Sequence, residues 1–361
     1  MTKPAILHII TRLDLGGAQK SVLALITQLQ QNNSDFEVYL ISGVHGELVA
    51  QTNDLKNVML LNSLVWEIKP KNFLLELQNF IKLIHIMRKL KKQHKTVILH
   101  THTIKAGTIG RWAGLLAGIQ IRIHTIHGFA FHPYQNKMIW LLFYLIELFN
   151  SLITTHFICV SSQDLKAGSE IFPQFSKKAS IIRAATLLND FAQSDLRLQP
   201  AYSKIVTLGT IASLKPGKNL FELLKAFKFA QKQLKTENIA LKLEIVGDGP
   251  LRVPLEIYLS HHNLSSSVKI TGWTQKPMLY AQNWAGFIFT SLWEGLPCAL
   301  IEIKALKIPI FAYQVGGLID LIDQSDLTYP GKWLELAQKI TQTFLNAQPP
   351  VTYTPQTRQY T

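Results

Sequence analysis

Short apolar runs alternate with segments of helical periodicity along most of the chain. This alternation favours a parallel β-sheet that is covered by helices on both faces. In the first half, the pattern predicts strands over 5–11, 36–42, 97–101, 121–126 and 157–160, and helices over 18–31, 73–93 and 106–117.

The alternation begins again near residue 205. It predicts a helix over 219–234 and strands over 205–210, 241–246, 268–271, 287–290 and 308–312. The predicted fold class is therefore α/β, with two Rossmann-like domains that face each other across a cleft. We expect the ligand to bind there, at the carboxyl ends of the strands. The expected parts are an N-terminal domain (1–188), a polar linker (189–203), a C-terminal domain (204–330), and a final helix with a loose tail (331–361).

Composition limits the class of protein. Hydrophobic residues make up 47% of the 361 residues, which is enough to fill two cores and excludes a disordered chain. The net charge of +14 indicates an anionic partner: nucleic acid, a membrane surface or a phosphorylated ligand. The two cysteines, Cys159 and Cys298, cannot form a disulfide framework or a cysteine-rich zinc site, and they indicate a reducing cytoplasm.

Two loops at strand ends have residues suited to phosphate. Gly16 and Gly17 lie at a strand-to-helix turn, where the backbone can approach a ligand and free N–H groups can receive a phosphate. Lys215 and Lys218 follow the predicted strand 205–210 and can neutralise phosphate charge. The alternatives are an ordinary tight turn and solvated loop lysines.

A pair of acids follows the predicted strand 287–290. Glu294 and Glu302 are eight positions apart, a little over two helical turns, so their carboxylates can point toward the same cleft. A carboxylate accepts hydrogen bonds from vicinal hydroxyls, so one acid can hold a sugar and the other a ribose. Backbone N–H groups between them, around Gly295 and Leu296, can bind a diphosphate. The alternative is a loop acid and a helix-surface acid without a shared role.

Histidines are concentrated in one region: His100, His102, His124, His127 and His132. On a strand, the first two point to the same face. A metal site needs three or four convergent ligands, and we predict none here. His127 follows the predicted strand 121–126, which places it at the cleft edge, where it can orient a substrate hydroxyl or carbonyl.

Several segments occur in a fixed order: ITRLDLGGAQ, LHTHTIKAGTIGRWAGLLAG, HTIHGFAFH, ICVSS, IVGDGPL and SLWEGLPCALIE. Together, over about residues 5 to 330, they resemble the retaining GT-B glycosyltransferases of family-four type, the glycosyl transferases group 1. The resemblance implies transfer of a sugar from a nucleotide-sugar donor to a glycan or lipid-linked acceptor. It also implies retention of anomeric configuration and no required metal or other cofactor.

The resemblance implies roles by position. His127 would lie beside the transferring sugar, where its imidazole or a nearby backbone carbonyl would help to stabilise an oxocarbenium-like state. Glu294 would hold the donor sugar, so these two are the predicted catalytic residues. Glu302 would bind the ribose and Lys218 the diphosphate. The complete set of implied donor-binding residues is Gly16, Gly17, Lys215, Lys218, Glu294, Gly295, Leu296 and Glu302.

One position departs from the family pattern. The family commonly has Arg-x4-Lys where this chain has Ser213 and Lys218. Two cations normally meet the growing negative charge of the departing nucleoside diphosphate. Lys215 lies in the same turn, and we expect it to substitute for the missing arginine.

Two segments bear on location. The basic amphipathic stretch 82–95 can lie on an anionic membrane, which predicts peripheral docking of a cytoplasmic protein at the inner leaflet; the alternative is a solvated helix face. The apolar stretch 138–153 is shorter than the ~20 residues of a membrane span and contains Glu147, which favours a buried or interfacial helix.

Two other function classes fit parts of the sequence. A nucleic-acid-binding protein would explain the charge, but the basic stretch lacks interleaved aromatics, so no specific nucleic-acid partner is expected. A non-catalytic GT-B partner subunit would explain Ser213, but the retained pair Glu294 and Glu302 argues for an enzyme. Cell-surface polysaccharide or lipopolysaccharide assembly is the process that the resemblance suggests.

Overall fold

The structure, a computed structural model, describes residues 3–32, 35–61, 73–183 and 204–346. The chain forms two compact units. The first contains 1–187 together with 294–301 and 316–321, and the second contains the remaining residues. The predicted linker 189–203 and the predicted loose tail beyond residue 346 lie outside the described residues.

The first unit contains a seven-stranded sheet in the order β3-β2-β1-β4-β5-β6-β7, and every paired strand is parallel to its neighbour. Its strands are β1 (Ala5–Ile9), β2 (Glu37–Gly43), β3 (Val58–Leu61), β4 (Val97–His102), β5 (Ile121–Ile126), β6 (His156–Cys159) and β7 (Ala179–Ile181). Its helices are α1 (Gly17–Gln31), α2 (Phe73–Gln93), α3 (Ile104–Leu116), α4 (Lys137–Ile153) and α5 (Ser162–Ile171).

The second unit contains a six-stranded parallel sheet in the order β10-β9-β8-β11-β12-β13. Its strands are β8 (Ile205–Ile211), β9 (Ala240–Val246), β10 (Val268–Gly272), β11 (Gly286–Phe289), β12 (Ile310–Tyr313) and β13 (Leu327–Thr328). The helices in this half of the chain are α6 (Leu220–Thr236), α7 (Arg252–His261), α8 (Met278–Ala281), α9 (Cys298–Ala305) and α10 (Trp333–Leu345).

Each sheet has the strand order of a Rossmann fold, so the prediction of two parallel-sheet α/β domains is confirmed. The first sheet is covered on both faces. One apolar cluster joins Leu7 and Leu99 to Leu83 of α2, and another joins Leu40 to Val22 of α1. Because both faces are buried, the strands are continuous apolar runs rather than alternating ones.

The order of each sheet reverses between its first and fourth strands. In the first unit this point lies between β1 and β4, and in the second between β8 and β11. Ligands of open α/β sheets bind outside the carboxyl ends of the strands at such a point. The loops that follow these four strands are therefore the places to examine for function.

Helix α4 has an unusual polarity. Its buried residues are Glu147, Asn150 and Ser151, whereas a set of large apolar side chains is exposed. Arg111 of α3 is fully buried and forms a bidentate pair with Glu147, at 2.8 and 3.1 Å. The predicted helix is confirmed, but among the described residues nothing covers much of its apolar surface. The exposed residues are Met138, Ile139, Leu141, Leu142, Leu145, Phe149 and Leu152.

None of the helices within the described residues has an apolar stretch long enough to cross a membrane.

Candidate functional site

His127 lies directly after β5, at the carboxyl edge of the first sheet. Its side chain is half-buried, and desolvation lowers the pKa of its imidazole to about 4, so the ring is neutral near pH 7. Its Nε2 lies 3.3 Å from Nδ1 of His102. A cavity of about 50 Å³ lies beside it, lined in part by Thr103, Gly128 and Glu147. A neutral imidazole that is held by His102 is suited to orienting a sugar hydroxyl rather than to carrying charge.

The loop of Glu294 and Gly295 belongs to the same compact unit as His127. A side chain at Gly295 would overlap the carbonyl of His127, and one at Gly128 would lie 2.9 Å from the amide nitrogen of Gly295. Gly128 has a φ of +106°, a conformation that other residues rarely adopt. The structure therefore places two predicted site segments in close backbone contact, and glycine at both positions permits it.

The Glu294 loop is held from a second side. Gly317 donates its N–H to the carbonyl of Gly295 at 2.6 Å. Gly316 has a φ of +47°, and a side chain there would overlap the carbonyl of Glu294. Glu294 itself is half-buried and Leu296 is buried. The backbone of the loop that carries Glu294 is thus held by contacts from two sides.

The glycine turn forms the start of α1. Gly16 is the N-cap residue in an extended conformation, and Gly17 is the first residue of the helix. A side chain at Gly17 would lie 2.9 Å from Sγ of Cys298, which belongs to the same unit. The N-terminus of α1, with the N–H groups of a helix start, therefore lies close to the residue that begins α9.

Thr103 was missed by sequence reasoning. It caps α3 with a φ of +64°, which is a strained conformation for a β-branched residue. Its hydroxyl lies 2.7 Å from that of Thr11, and Thr11 also accepts the N–H of Ala106 at 3.1 Å. Strain of this kind is typical of functional sites, and here it occurs where the sheet order reverses. The torsion angle leaves no trace in residue type, so no sequence signal could have found it.

Three of the predicted histidines form a cluster with a fourth that sequence reasoning missed. His100 and His102 share a face of β4, as predicted, with ring centroids 4.3 Å apart. His8 of β1 lies opposite His100 in the sheet, and its Nδ1 is 3.2 Å from Nε2 of His102. Through His102 the cluster reaches His127. The signal for His8 was present, because it is a polar residue in an apolar run.

The other two histidines lie apart from this chain of contacts. Nδ1 of His124 bonds the hydroxyl of Thr101 at 2.9 Å, and burial lowers the pKa of its imidazole well below the usual value. His132 is half-buried in the loop before α4, where its backbone N–H bonds the side chain of Gln135.

In the second unit, Lys215 and Lys218 lie on the turn after β8. Lys215 is exposed, and its N–H bonds the carbonyl of Ser213 at 2.8 Å. Nζ of Lys218 lies 5.9 Å from the centre of the Phe289 ring of β11. Thr290, which follows β11, donates its hydroxyl to the carbonyl of Lys218 at 3.0 Å. The two loops at the reversal point of this sheet are therefore joined, and the loop after β8 carries both predicted diphosphate lysines.

The turn that carries Lys215 and Lys218 is held by hydrogen bonds to Glu222. Asn219, with a φ of +53°, ends the turn and donates its side-chain amide to Glu222 at 2.9 Å. Tyr313 of β12 donates its hydroxyl to the same carboxylate at 2.7 Å. Burial and this acid raise the pKa of Tyr313 above its usual range, so the phenol stays protonated. Glu302 lies in α9 and is 7% exposed, a degree of burial that an ordinary surface acid does not have.

Comparison with known proteins agrees with this arrangement. The sequence matches the family described as glycosyl transferases group 1 over residues 198–359, and glycosyltransferase family 4 over residues 15–174. The chain belongs to the GT-B glycosyltransferases. The resemblance found in the motifs is confirmed, and together the two matched regions contain every predicted site residue.

Relatives of this glycosyltransferase extend over most of its length. It is 28% identical over 326 residues to the UDP-Gal:alpha-D-GlcNAc-diphosphoundecaprenol alpha-1,3-galactosyltransferase of Escherichia coli, covering 88% of this chain and 81% of the relative. It is 22% identical to the capsular polysaccharide biosynthesis glycosyltransferase CapM of Staphylococcus aureus, over 94% and 87% of the two chains. The crystal structure of Anabaena HepE with UDP-glucose is similar, with a TM-score of 0.74 at 16% identity over 95% and 90%.

Proposed function

We propose that this glycosyltransferase moves a sugar from a UDP-sugar to a lipid-linked glycan, with retention of anomeric configuration, during cell-surface polysaccharide or lipopolysaccharide assembly. The observation that carries the proposal is the pair of joined loops at the reversal point of the second sheet, which present Lys215 and Lys218. The Escherichia coli relative supports the donor nucleotide and a diphosphoundecaprenol acceptor. CapM supports a role in surface polysaccharide.

Each residue has a proposed role that follows from its chemistry. Lys215 and Lys218 neutralise the diphosphate, whose charge grows as the sugar departs. The buried carboxylate of Glu302 accepts the two ribose hydroxyls, and Glu294 accepts hydroxyls of the donor sugar. His127 orients the transferring sugar through Nδ1, because its Nε2 already bonds Nδ1 of His102 and the ring is neutral.

Ribose recognition is tested with Glu302→Gln. An amide can accept fewer hydroxyl bonds than a carboxylate, so we expect Kd for UDP to rise by about 10-fold or more. Glu237→Gln, an exposed acid of the same half, is the matched control and should leave Kd unchanged. Equal UDP affinity in Glu302→Gln and the unaltered protein would remove Glu302 from the donor site.

The donor is identified by thermal shift with UDP-, GDP-, dTDP- and ADP-sugars. A ligand raises Tm only if it binds the folded state, and we expect the UDP-sugars to do so. Hydrolysis of the stabilising donor then separates an enzyme from a non-catalytic subunit. Stabilisation by GDP-sugars alone would contradict the proposed nucleotide.

The replacement of the usual arginine by Ser213 is tested in the same assay. We expect Lys215→Ala to lower kcat, because one of two cations that meet the diphosphate is lost, and Ser213→Arg to restore it in that background. Unchanged turnover in Lys215→Ala would show that this lysine is not the replacement. We further propose that transfer needs no metal ion, and full activity in excess EDTA is the expected result.

We also propose that the protein is cytoplasmic and docks on the inner leaflet through the α2–α4 face of its first unit. The exposed apolar residues of α4 continue to Trp112 of α3, whose indole N–H bonds Asn150 of α4 at 3.1 Å. Two basic residues of α2 lie at the C-terminal end of α3, where Arg88 bonds the carbonyl of Leu116 and Lys91 that of Gly118, and we propose that they form the cationic border of this surface. An apolar surface with a cationic border matches an anionic bilayer.

Liposome flotation tests this docking. If two side chains enter the bilayer, Leu142→Ser with Phe149→Ser removes about 3–6 kcal/mol of apolar transfer, or about 100-fold or more in partition to anionic vesicles. Val253→Ser with Ile257→Ser, an equally exposed pair on α7, is the matched control. Equal flotation of the two double variants would contradict docking through α4.

A further inference from the structure

We propose that His8 and His102 form an imidazole relay that holds His127 as its Nδ1–H tautomer, so that both are positioning residues for sugar transfer. The catalytic part of this inference rests on the proposed role of His127. The relay itself is a property of the folded first unit and can be tested without donor or acceptor.

The sheet register brings the three rings together. His8 of β1 pairs with His100 of the adjacent parallel strand β4, and His102 lies two residues further along the same face. The Nδ1 of His8 is 3.2 Å from the Nε2 of His102, and the Nδ1 of His102 is 3.3 Å from the Nε2 of His127. The three imidazoles therefore form a continuous line from the centre of the sheet to its carboxyl edge.

A neutral imidazole has one N–H and one lone pair, so the line must have a direction. Burial lowers the pKa of His8 and His127 to about 4 and that of His102 well below the usual value, so all three rings are neutral near pH 7. Because His102 is hydrogen-bonded through both nitrogens, it donates to one neighbour and accepts from the other. Two directions are possible, and they leave His127 as opposite tautomers.

The outermost nitrogen of the line, Nε2 of His8, decides between the two directions of hydrogen bonding. The Nε2 of His8 is buried and has no hydrogen-bond partner among the described residues. If His8 carried its proton there, a donor would be buried without an acceptor, which is rarer and more costly than a bare acceptor. His8 is therefore protonated on Nδ1 and donates to His102, and His102 donates to His127. The remaining proton of His127 lies on Nδ1.

A buried metal centre is the competing interpretation. Ring nitrogens of His8, His100 and His102 lie within 4.8 Å of one another. However, both nitrogens of His102 already take part in hydrogen bonds, to Nδ1 of His8 and to Nε2 of His127. A divalent ion held by all three rings would have to break at least one of these two bonds. The geometry favours the relay.

Nitrogen-labelled histidine NMR of the whole protein reads the tautomers directly. We expect His102 and His127 to be protonated on Nδ1 and bare on Nε2. Protonation of His127 on Nε2 in the unaltered protein would overturn the relay. A shift of the His8 and His100 nitrogens on addition of stoichiometric Zn²⁺ would overturn it in favour of a metal site.

Two substitutions of His102, the central ring, are expected to have opposite effects on the tautomer of His127. The side-chain amide of asparagine can replace the Nδ1–H of histidine, whereas that of glutamine replaces its Nε2 end. In His102→Asn we therefore expect His127 to remain protonated on Nδ1, and in His102→Gln to lose its single tautomer. His94→Asn is the control, because His94 is a buried histidine of the same unit that bonds Tyr39 and the carbonyl of Lys3 instead. Equal His127 spectra in the Asn and Gln variants would overturn the relay.

The turnover number kcat provides a second test of the relay. We expect kcat to fall by about 10- to 100-fold in His102→Gln and to stay close to normal in His102→Asn, with KM for donor unchanged in both. A purely packing role would affect both variants alike. The tautomer spectra need no substrate, so they can confirm the relay even if UDP-sugar proves not to be the donor. If His102→Gln does not fold, the spectrum of the unaltered protein still decides.

Discussion

Removing the carboxylate of Glu147 should destabilise the first unit strongly. In Glu147→Leu, the fully buried guanidinium of Arg111 would keep only the carbonyl of Gly107, at 2.8 Å, and the hydroxyl of Thr154, at 3.0 Å. Breaking a buried ion pair by removing one partner costs about 3–5 kcal/mol, because the remaining charge has no counter-ion. For a unit of this size the expected drop in Tm is about 6–20 °C.

Urea unfolding of two further variants shows whether the buried charge is the cause. Arg111→Met combined with Glu147→Leu removes both charges, and most of the lost stability should return. Glu170→Leu removes an exposed acid that lies 4.0 Å from Lys166, and it should cost less than about 1 kcal/mol. If Glu147→Leu is no worse than Glu170→Leu, or if the double variant is as unstable as the single one, the reasoning is refuted.

Two further predictions concern packing and pH. Gly209→Ala would place a methyl group inside the buried indole of Trp284, so we expect a loss of about 1–3 kcal/mol, read as a lower urea midpoint; an unchanged midpoint would contradict the packing. Burial lowers the pKa of His8 and His127 from 6.5 to about 4, so the unfolded chain binds more protons in that window and stability should fall as pH is lowered through it. Burial raises the pKa of Asp164 to about 7, so this group stabilises the fold as pH falls, but it is one group against the two histidines. A urea midpoint that rises as pH is lowered from about 6.5 to 4 would contradict the expected net loss of stability.

Much of the fold could be predicted because buried parallel strands are apolar throughout. The predicted strand 121–126 coincides with β5, and the predicted helix 73–93 coincides with α2. The missed strands β3, β7 and β13 are edge strands of two to four residues, too short to show a pattern.

Two missed helices have identifiable causes. Helix α7 contains Pro254, which suggests a helix break in a sequence but is tolerated in the first turn. Helix α5 is capped at its N-terminus by Ser161, whose side chain accepts the N–H of Asp164 at 3.1 Å. That Ser-x-x-Asp spacing is a readable start signal that sequence reasoning did not use.

The candidate site could be predicted where residue type limits the chemistry, as for the glycines and lysines after predicted strands. It could not be predicted where two strands meet. His8 and His102 are 94 positions apart, and only the register of β1 against β4 brings them into contact. Likewise, the buried pair of Arg111 and Glu147 joins α3 to α4, and nothing in either segment alone indicates it. The roles of Glu294 and Glu302 stay predictions.

Because the polar side of α4 faces the interior, the attachment of this helix to the fold does not depend on the composition of its outer side. Because Glu147 and Asn150 anchor it through directional bonds, its outer side chains contribute little to the interior. Substitutions such as Leu142 or Leu152 to other residues can therefore accumulate without repacking a core. The outer surface of α4 can therefore be set by what it contacts, while the scaffold beneath it stays the same.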